Sequence, residues 1–538
     1  MTPPRRPVPF RIVAFWLAVA LVTVTCSSSY ITPASLTATA AAPLTPQTPL
    51  PTAFLVAPTL AASNTPEPSA TPQPQDASPT PEQTATETPL PSPTPDVVGG
   101  DTPPLLYTAQ SGDSLDALAA RFGVSPFEIV SDKEIPRTGF INPGQLLVIP
   151  VRLADTGPNN RILPDSDLVY SPSAVGFDAV TFGNTLGGHL AGYREYLGST
   201  GWLSGPQVVQ KVADENSINP RVLLSLLEYN GHWVLGEPQT LSETDYPMGH
   251  IELRQRGLHG QLVWAVNQLS IGYYGWRAGT LTTLTFTDGS TLRLAPDLNA
   301  GTVAIQYLYA QVMDRARWDQ AVAAQGGIAD THNTLFGDAW GRAAAVEPLF
   351  PSNLEQAPLI LPFLLGQKWA FTGGPHGAWE GDGSQAAIDF APGSTEHGCA
   401  KSDLWAVAAS AGVIVRSGNG VVVLDLDGDG YEQTGWVLLY LHVTTEVAPV
   451  GKWLDRSDLI GHPSCEGGFA TGTHIHFARK YNGEWVAAAG PLPFTLSGWS
   501  VQAGAQPYQG FMVRGDDIIE ACTCGSFDTI IARSPDDP

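Results

Sequence analysis

Basic residues are scarce in this chain. Lys and Arg number 27 against 51 Asp and Glu, a formal net charge of −24 over 538 residues, and all charged residues together make up only 14%. Nucleic acid and anionic membrane surfaces need basic patches, so neither is indicated as the main partner. Cysteine is also scarce. Five cysteines are too few for a disulfide-built scaffold, though enough for one or two staples. No apolar run reaches the roughly 20 residues of a comfortable membrane span. Proline and glycine, by contrast, are plentiful at 47 and 55. Low charge with much Gly, Pro, Thr and Trp reads as a β- and loop-rich exported protein. The length exceeds what one hydrophobic core supports and predicts several domains.

Residues 1–26 read as an export signal. Arg5, Arg6 and Arg11 precede an apolar run from Ile12 to Val24, which suits a signal-peptide core. Cys26, followed by three serines, resembles the lipidation site of bacterial lipoproteins, which implies a membrane lipid anchor there. Thr23-Val24-Thr25 departs from the usual Leu-x-small pattern. Cleavage near Ala38-Thr39-Ala40 and an uncleaved anchor are the alternatives. All three place the remainder outside the cytoplasm, at the cell surface or in the cell wall. Residues 27–104 are dominated by Pro, Thr, Ser, Ala and Gln. Such a segment buries too little to offset its ordering entropy and is expected to be a disordered, extended linker.

Residues 105–151 change character. Tyr107-Thr108-Ala109 predicts a strand. Leu115, Leu118, Ala119 and Phe122 follow helical spacing, and Gly123 ends the helix. Ser125-Pro126 opens a second short helix, and Leu146 to Pro150 closes with a strand. The segment resembles a LysM domain, a β-α-α-β module, through Tyr107, Gly112, Asp113, Ser114, Leu115, Ala119, Phe122, Asn142, Gly144, Gln145, Leu147, Ile149 and Pro150. The resemblance implies binding of N-acetylglucosamine-containing glycans such as peptidoglycan, by the turns after Asp113 and around Ile135–Asn142. Singly, each of these residues reads as core or turn.

Residues 160–350 read as a mainly helical domain. Helices are predicted over Val208–Ala213, Pro220–Tyr229 and Asn299–Met313, with a hairpin at Asp288-Gly289. Two pieces resemble lysozyme-type transglycosylases: Ile218 to Leu227, and Asn299-Ala300-Gly301-Thr302 followed by Tyr307-Leu308. That family ends the first helix in a Glu-Ser pair whose Glu is the general acid. Asn230 stands at that position here, and an amide cannot serve as the acid. Glu228 would face away. The expectation is a non-catalytic remnant. Trp233, Trp264, Tyr273, Tyr274 and Trp276 would stack on sugars if exposed, and form core if not.

Six of the eleven histidines fall in 359–495. His474 and His476 alternate with Thr473, Ile475 and Phe477 in a strand-like run, so both imidazoles share a face about 7 Å apart. Asp389 lies on another apolar strand, after Gly373-Gly374-Pro375-His376, and His442 ends the run Trp436 to Leu441. Three N/O ligands with one open position form the pattern of a catalytic zinc. The combination resembles the lysostaphin/LytM-type zinc endopeptidases of peptidoglycan, mainly antiparallel β. It includes Ala406-Val407-Ala408, Gly412 to Val415, and Gly461. The resemblance implies His376, Asp389 and His476 as zinc ligands and His442 and His474 as catalytic. His474 would deprotonate the attacking water, and His442 would stabilise the oxyanion or orient the substrate. One departure is the spacing. Twelve residues, Gly377 to Ile388, separate His376 from Asp389, where the family usually has three. That makes His397 the fallback ligand, while His397 and His462 read otherwise as ordinary histidines.

An exported chain favours a Cys399–Cys465 disulfide, with Cys522 and Cys524 paired or free. Asp425, Asp427 and Asp429 resemble the start of a calcium loop. Its twelfth position is Trp436 rather than Glu, so a plain acidic hairpin tip is the competing reading. Residues 496–538 read as a C-terminal β extension without functional assignment. The chain is thus expected to be a multidomain α+β protein, an exported zinc endopeptidase held on peptidoglycan. The rival reading is a non-catalytic wall-binding or hydrolase-activating protein with an inactive peptidase fold.

Overall fold

A computed structural model describes residues 103–379, 382–393, 398–524 and 526–537. The expected signal segment with Cys26, the linker and His397 lie outside the described residues. The described residues all belong to the compact unit that begins at Pro93.

Strand β1 (Leu105–Thr108) pairs antiparallel with β2 (Leu146–Ile149). Between them lies helix α1 (Leu115–Phe122), which buries Leu115, Leu118 and Phe122 and ends at Gly123 with φ 66°. The second helix is only a 3-10 turn, Pro126–Glu128, closed by a Ser125/Glu128 capping box. The reciprocal cap satisfies the end groups of a segment too short to propagate.

The middle region is largely helical. Helix α2 (Gly205–Asn216) starts at a Ser204/Gln207 capping box, and α3 (Pro220–Gly231) starts at Asn219 with Pro220 in its first turn. Helix α4 (Leu258–Ala278) packs along α5 (Ala300–Ala310). Gly272 permits that approach, since a Cβ there would lie 2.8 Å from Ala304 Cα. Trp233, Tyr273 and Trp276 are at most 1% exposed, and Trp264 and Tyr274 are 8% exposed. These rings are core, which removes them as a sugar platform. For the four on α4, burial follows from that helix being covered on most sides, so its apolar residues need no single stripe.

The C-terminal region is built on one large antiparallel sheet. Its strands are β3 (Lys368–His376), β4 (Ala387–Pro392), β5 (Gly412–Gly418), β6 (Val421–Asp425), β7 (Trp436–Leu441), β8 (Trp453–Leu454), β9 (Ile475–Tyr481) and β10 (Glu484–Trp485). A second sheet of four strands follows: β11 (Thr495–Leu496), β12 (Trp499–Ala503), β13 (Gly510–Arg514) and β14 (Asp517–Glu520). The last strand, β15 (Ile530–Ala532), returns to the main sheet. The main order is β8-β5-β6-β7-β9-β4-β3-β15, with β10 paired to β9.

The sheet is buried on both faces. Val422, Leu424, Leu438, Tyr440, Ile475 and Phe477 enter a core under the C-terminal region's own loops. Val421, Val423, Val437, Leu439, Leu441 and Ala478 share a core with α2 to α5. Burial on both sides explains why β7 reads as an unbroken apolar run instead of alternating. Charge joins the same two regions. Arg277 on α4 contacts Glu484 on β10 and Asp165, each at 3.0 Å. Lys480 on β9 and Arg416 on β5 pair with Glu432 at 3.0 and 3.1 Å. Burial raises the Glu432 carboxyl, but those two cations outweigh it and hold it down at about 2.

The β1-α1-β2 module is joined to the rest through Ser111, through Asn142 at the end of a turn expected to bind glycan, and through Arg121 on α1. Ser111 Oγ accepts the Phe350 N–H at 2.8 Å, and Asn142 Oδ1 accepts the Asn353 N–H at 2.9 Å. Arg121, paired with Asp113, donates Nε–H to the Trp276 carbonyl. Ser114, Asp116, Arg137 and Phe140 still line a cleft of about 480 Å³, walled opposite by Tyr274, Gln385 and Glu484.

Candidate metal and catalytic site

Register alone brings two of the candidates together. His476 on β9 lies directly opposite Asp389 on β4. Asp389 in turn lies beside Gly373 on β3, and a Cβ at Gly373 would meet Asp389 Oδ2 at 2.4 Å. Glycine there makes room for the carboxylate. At Gly374 a Cβ would meet the Gln509 carbonyl carbon at 2.5 Å, so the second glycine admits the β12–β13 turn. The Gly373-Gly374-Pro375-His376 motif is therefore a close-approach device on both sides.

His376, Asp389 and His476 are buried, and one ligand atom from each lies within 4.8 Å of the others. His376 Nε2 is 2.9 Å from His476 Nδ1 and 3.2 Å from Asp389 Oδ1, and His476 Nδ1 is 3.4 Å from the same oxygen. The outer nitrogens are spoken for. His376 donates Nδ1–H to the Gly374 carbonyl at 2.7 Å, and His476 donates Nε2–H to the Ala378 carbonyl at 3.0 Å. Each ring then turns a lone pair inward, as metal-ligating histidines do. Asp389 Oδ1 is buried without a hydrogen bond. Three acceptors converge with no proton between them, which fits a cation. Burial raises the Asp389 carboxyl, but His376 and His476 beside it outweigh that and hold it far below the usual carboxylate range. Burial pulls His476 down. It also pulls at His376, which nearby Asp389 holds above its ordinary value.

His442 and His474 stand beside this group, their rings 4.6 Å apart. His474 Nε2 is 3.8 Å from Asp389 Oδ1. His442 donates Nδ1–H to the Glu466 carbonyl at 2.8 Å, and His474 donates Nδ1–H to the Gly472 carbonyl at 2.7 Å. Each keeps Nε2 as an acceptor. Burial, reinforced by His474, pushes His442 down to about 4, so it is neutral at neutral pH. All five residues line one cleft of about 700 Å³.

The long spacing between His376 and Asp389 does not separate them, because β3 and β4 pair side by side, with His376 opposite Ala387 and Gly373 opposite Asp389. The remaining expectations divide. Cys399 and Cys465 are bonded, joining the loop after β4 to the loop before β9, and Cys522 is bonded to Cys524. Asp425, Asp427 and Asp429 form a hairpin tip whose carboxylates accept backbone N–H groups of Asp427, Gly430, Asp429 and Tyr431. His462 donates Nδ1–H to the Leu404 carbonyl and packs on Trp405. Glu228 accepts the N–H groups of Val234 and Leu235 at 3.0 and 2.9 Å, a turn-closing role, and Asn230 Nδ2 lies 4.0 Å from Met248 sulfur. Tyr508 was not anticipated. Its ring stacks on His376 at 4.1 Å, and its φ is 68°. It lies 132 positions along the chain from that histidine, in a stretch without a motif, so no local signal marks it.

Residues 107–150 match the LysM domain model, and residues 161–348 match the model described as LasA, N-terminal domain. The second match covers the stretch for which the sequence suggested a lysozyme-type resemblance. Two curated relatives, both named Protease LasA, come from Pseudomonas aeruginosa strains UCBPP-PA14 and PAO1. They are 28% and 27% identical over 301 residues, 51% of this chain. The chain spans 65% of the length of each. Similar solved structures include "A Novel M23 Metalloprotease Pseudoalterin from Deep-sea", 23% identical with a TM-score of 0.27, covering 31% of this chain and 96% of that one. Another is the catalytic domain of the antimicrobial peptidase lysostaphin from Staphylococcus simulans, 25% identical with a TM-score of 0.15, covering 22% and 81%.

Proposed function

We propose that the chain is an exported, zinc-dependent endopeptidase that cleaves the stem or cross-bridge peptides of peptidoglycan. The observation that carries this reading is the convergence of His376 Nε2, Asp389 Oδ1 and His476 Nδ1 on one buried point, beside two histidines with free Nε2 atoms. Similarity to Protease LasA supports the peptidase class, and the LysM match supports a peptidoglycan substrate. Arg5, Arg6 and Arg11 before the Ile12–Val24 run support export.

His376, Asp389 and His476 would hold the ion. A zinc ion there supplies Lewis acidity toward the scissile carbonyl and the attacking water. His474, with Nε2 open to the cleft, takes the proton from that water and returns it to the leaving amine. His442 is neutral and its only N–H is engaged by Glu466. It therefore accepts a hydrogen bond from the substrate or water, which favours the orienting role over oxyanion donation. Tyr508 holds the His376 ring in its plane. Glycan would reach the LysM module at the cleft lined by Ser114, Asp116 and Arg137.

The test is mass spectrometry of fragments released from purified peptidoglycan by the full chain with zinc. New free amino ends within stem or cross-bridge peptides are expected. Absence of peptide cleavage across several wall types overturns the enzymatic reading in favour of a wall-binding protein. New sugar ends would assign the activity to the helical region.

A further inference from the structure

The residues between His376 and Asp389 make two sets of contacts, one with the ligand His476 and one with helix α4. Ala378 is the pivot. Its carbonyl accepts Nε2–H of His476 at 3.0 Å, and that bond leaves His476 Nδ1 as the inward acceptor. Its own N–H is donated to Ser384 Oγ at 3.2 Å. Ser384 is buried, and Ala378 and Ala386 belong to the core shared with the helices. Two positions before Ser384, the Asp382 N–H is donated at 2.9 Å to Asn267 Oδ1 on α4. Gly383, with φ 118°, lies so close to α4 that a Cβ would meet Ser270 Cβ at 2.7 Å. On the far side, the Gln385 carbonyl accepts the Ala488 N–H at 2.9 Å. A loop of this length on an open surface would let the Ala378 carbonyl wander. Here it is tied to helix α4 through Asp382 and to the segment after β10 through Gln385.

We infer that Ser384 and Asn267 are positioning residues for the metal site. They fix the Ala378 carbonyl, and through it the tautomer and ring orientation of His476. The helical region thereby acts on the metal site through α4 without touching a ligand. The inference rests on the proposed metal site but not on the bond cleaved. An outer hydrogen-bond partner of a ligand typically contributes about 10- to 100-fold in metal affinity.

The experiment measures zinc affinity of the full chain by chelator competition, and the visible spectrum of its cobalt-substituted form. Parent, Ser384→Ala, Ser384→Thr and Asn267→Ala are compared. Ser384→Ala is expected to weaken zinc binding by up to about 10-fold, less than loss of a ligand's direct partner, and to shift the cobalt bands. Affinities are compared below the unfolding transition of each metal-free chain, because the unpaired Ala378 N–H lowers stability. Ser384→Thr keeps the hydroxyl and is expected to restore both readouts. Asn267→Ala is expected to move them in the same direction by a smaller factor. It carries the test if Ser384→Ala does not fold. Zinc affinities and cobalt spectra equal to the parent's in the alanine variants would overturn the inference. A parent that binds zinc and cleaves no wall peptide would remove the proposed activity and leave this inference standing. A parent that takes up neither metal overturns both.

Discussion

His376, Asp389 and His476 form one group of three potential ligand residues within 4.8 Å; Asp425, Asp427 and Asp429 form another. The two differ in where their protons are. In the first, every donor hydrogen points outward to a backbone carbonyl, and the inward atoms are lone pairs around a carboxylate oxygen with no hydrogen bond. In the second, backbone N–H groups of the same hairpin already occupy the carboxylates. Proximity of ligand types is common to both. Unmet demand for a cation belongs to one. The buried Asp389 oxygen without a hydrogen bond favours the first group as the metal site over the acidic turn.

The comparison can be broken most directly at the shared carboxylate. Asp389→Ala should weaken zinc binding by well over about 100-fold and abolish hydrolysis, whereas Asp427→Ala should change neither. Equal effects of the two in chelator competition would erase the distinction. Next in size is His474→Ala. Zinc should stay bound while wall-peptide hydrolysis falls by roughly 10²- to 10⁴-fold, which would separate the base from the ligands. Loss of zinc in that variant would make His474 a ligand. Tyr508→Ala should weaken zinc severalfold by freeing the His376 ring, and Tyr508→Phe should not, because the stacked face is kept. The smallest effect is expected at the acidic tip. Burial, with Asp427 adjacent, raises Asp425 to about 6. The folded chain therefore holds this proton to higher pH than the unfolded chain. Its stabilising contribution is complete below about pH 4 and is lost as pH rises through about 6. Asp425→Asn should flatten the pH dependence of unfolding free energy in that window, by about 1 kcal/mol or less because Asp427 and Asp429 beside it are exposed and screened by water.

Much of the candidate site was legible because it lies on strands. Alternation put His474 and His476 on one face, and an apolar run marked the strand that carries Asp389. Spacing was less informative. The twelve residues after His376 looked like a threat to the ligand set, yet the register of β3, β4 and β9 brings the ligands together regardless of what loops out between them. The aromatic residues of the helical region could not be placed from sequence. Trp233, Trp264 and Tyr274 would look the same on a surface, and tertiary packing decides: His189 and Tyr193 cover Trp233, His250 stacks on Trp264, and the Trp485 N–H reaches the Tyr274 hydroxyl. Tyr508 was illegible for the same reason. Its contact with His376 depends on a turn from a different sheet. Hydrogen bonds from the Tyr508 N–H to the Pro375 carbonyl and from the Gly374 N–H to the Tyr508 carbonyl bring it there.

Strand β15 pairs through Ile530, Ile531 and Ala532 with Ala370, Trp369 and Lys368 of β3. The strand that ends in His376 thus has its outer rim covered by one of the last segments of the chain. Proteolytic trimming before Ile530 would bare a row of backbone donors and acceptors on that rim, a template for a strand from another molecule. Without that strand the β3 edge is expected to pair with another molecule, which size-exclusion chromatography of a chain ending before Ile530 would show as self-association.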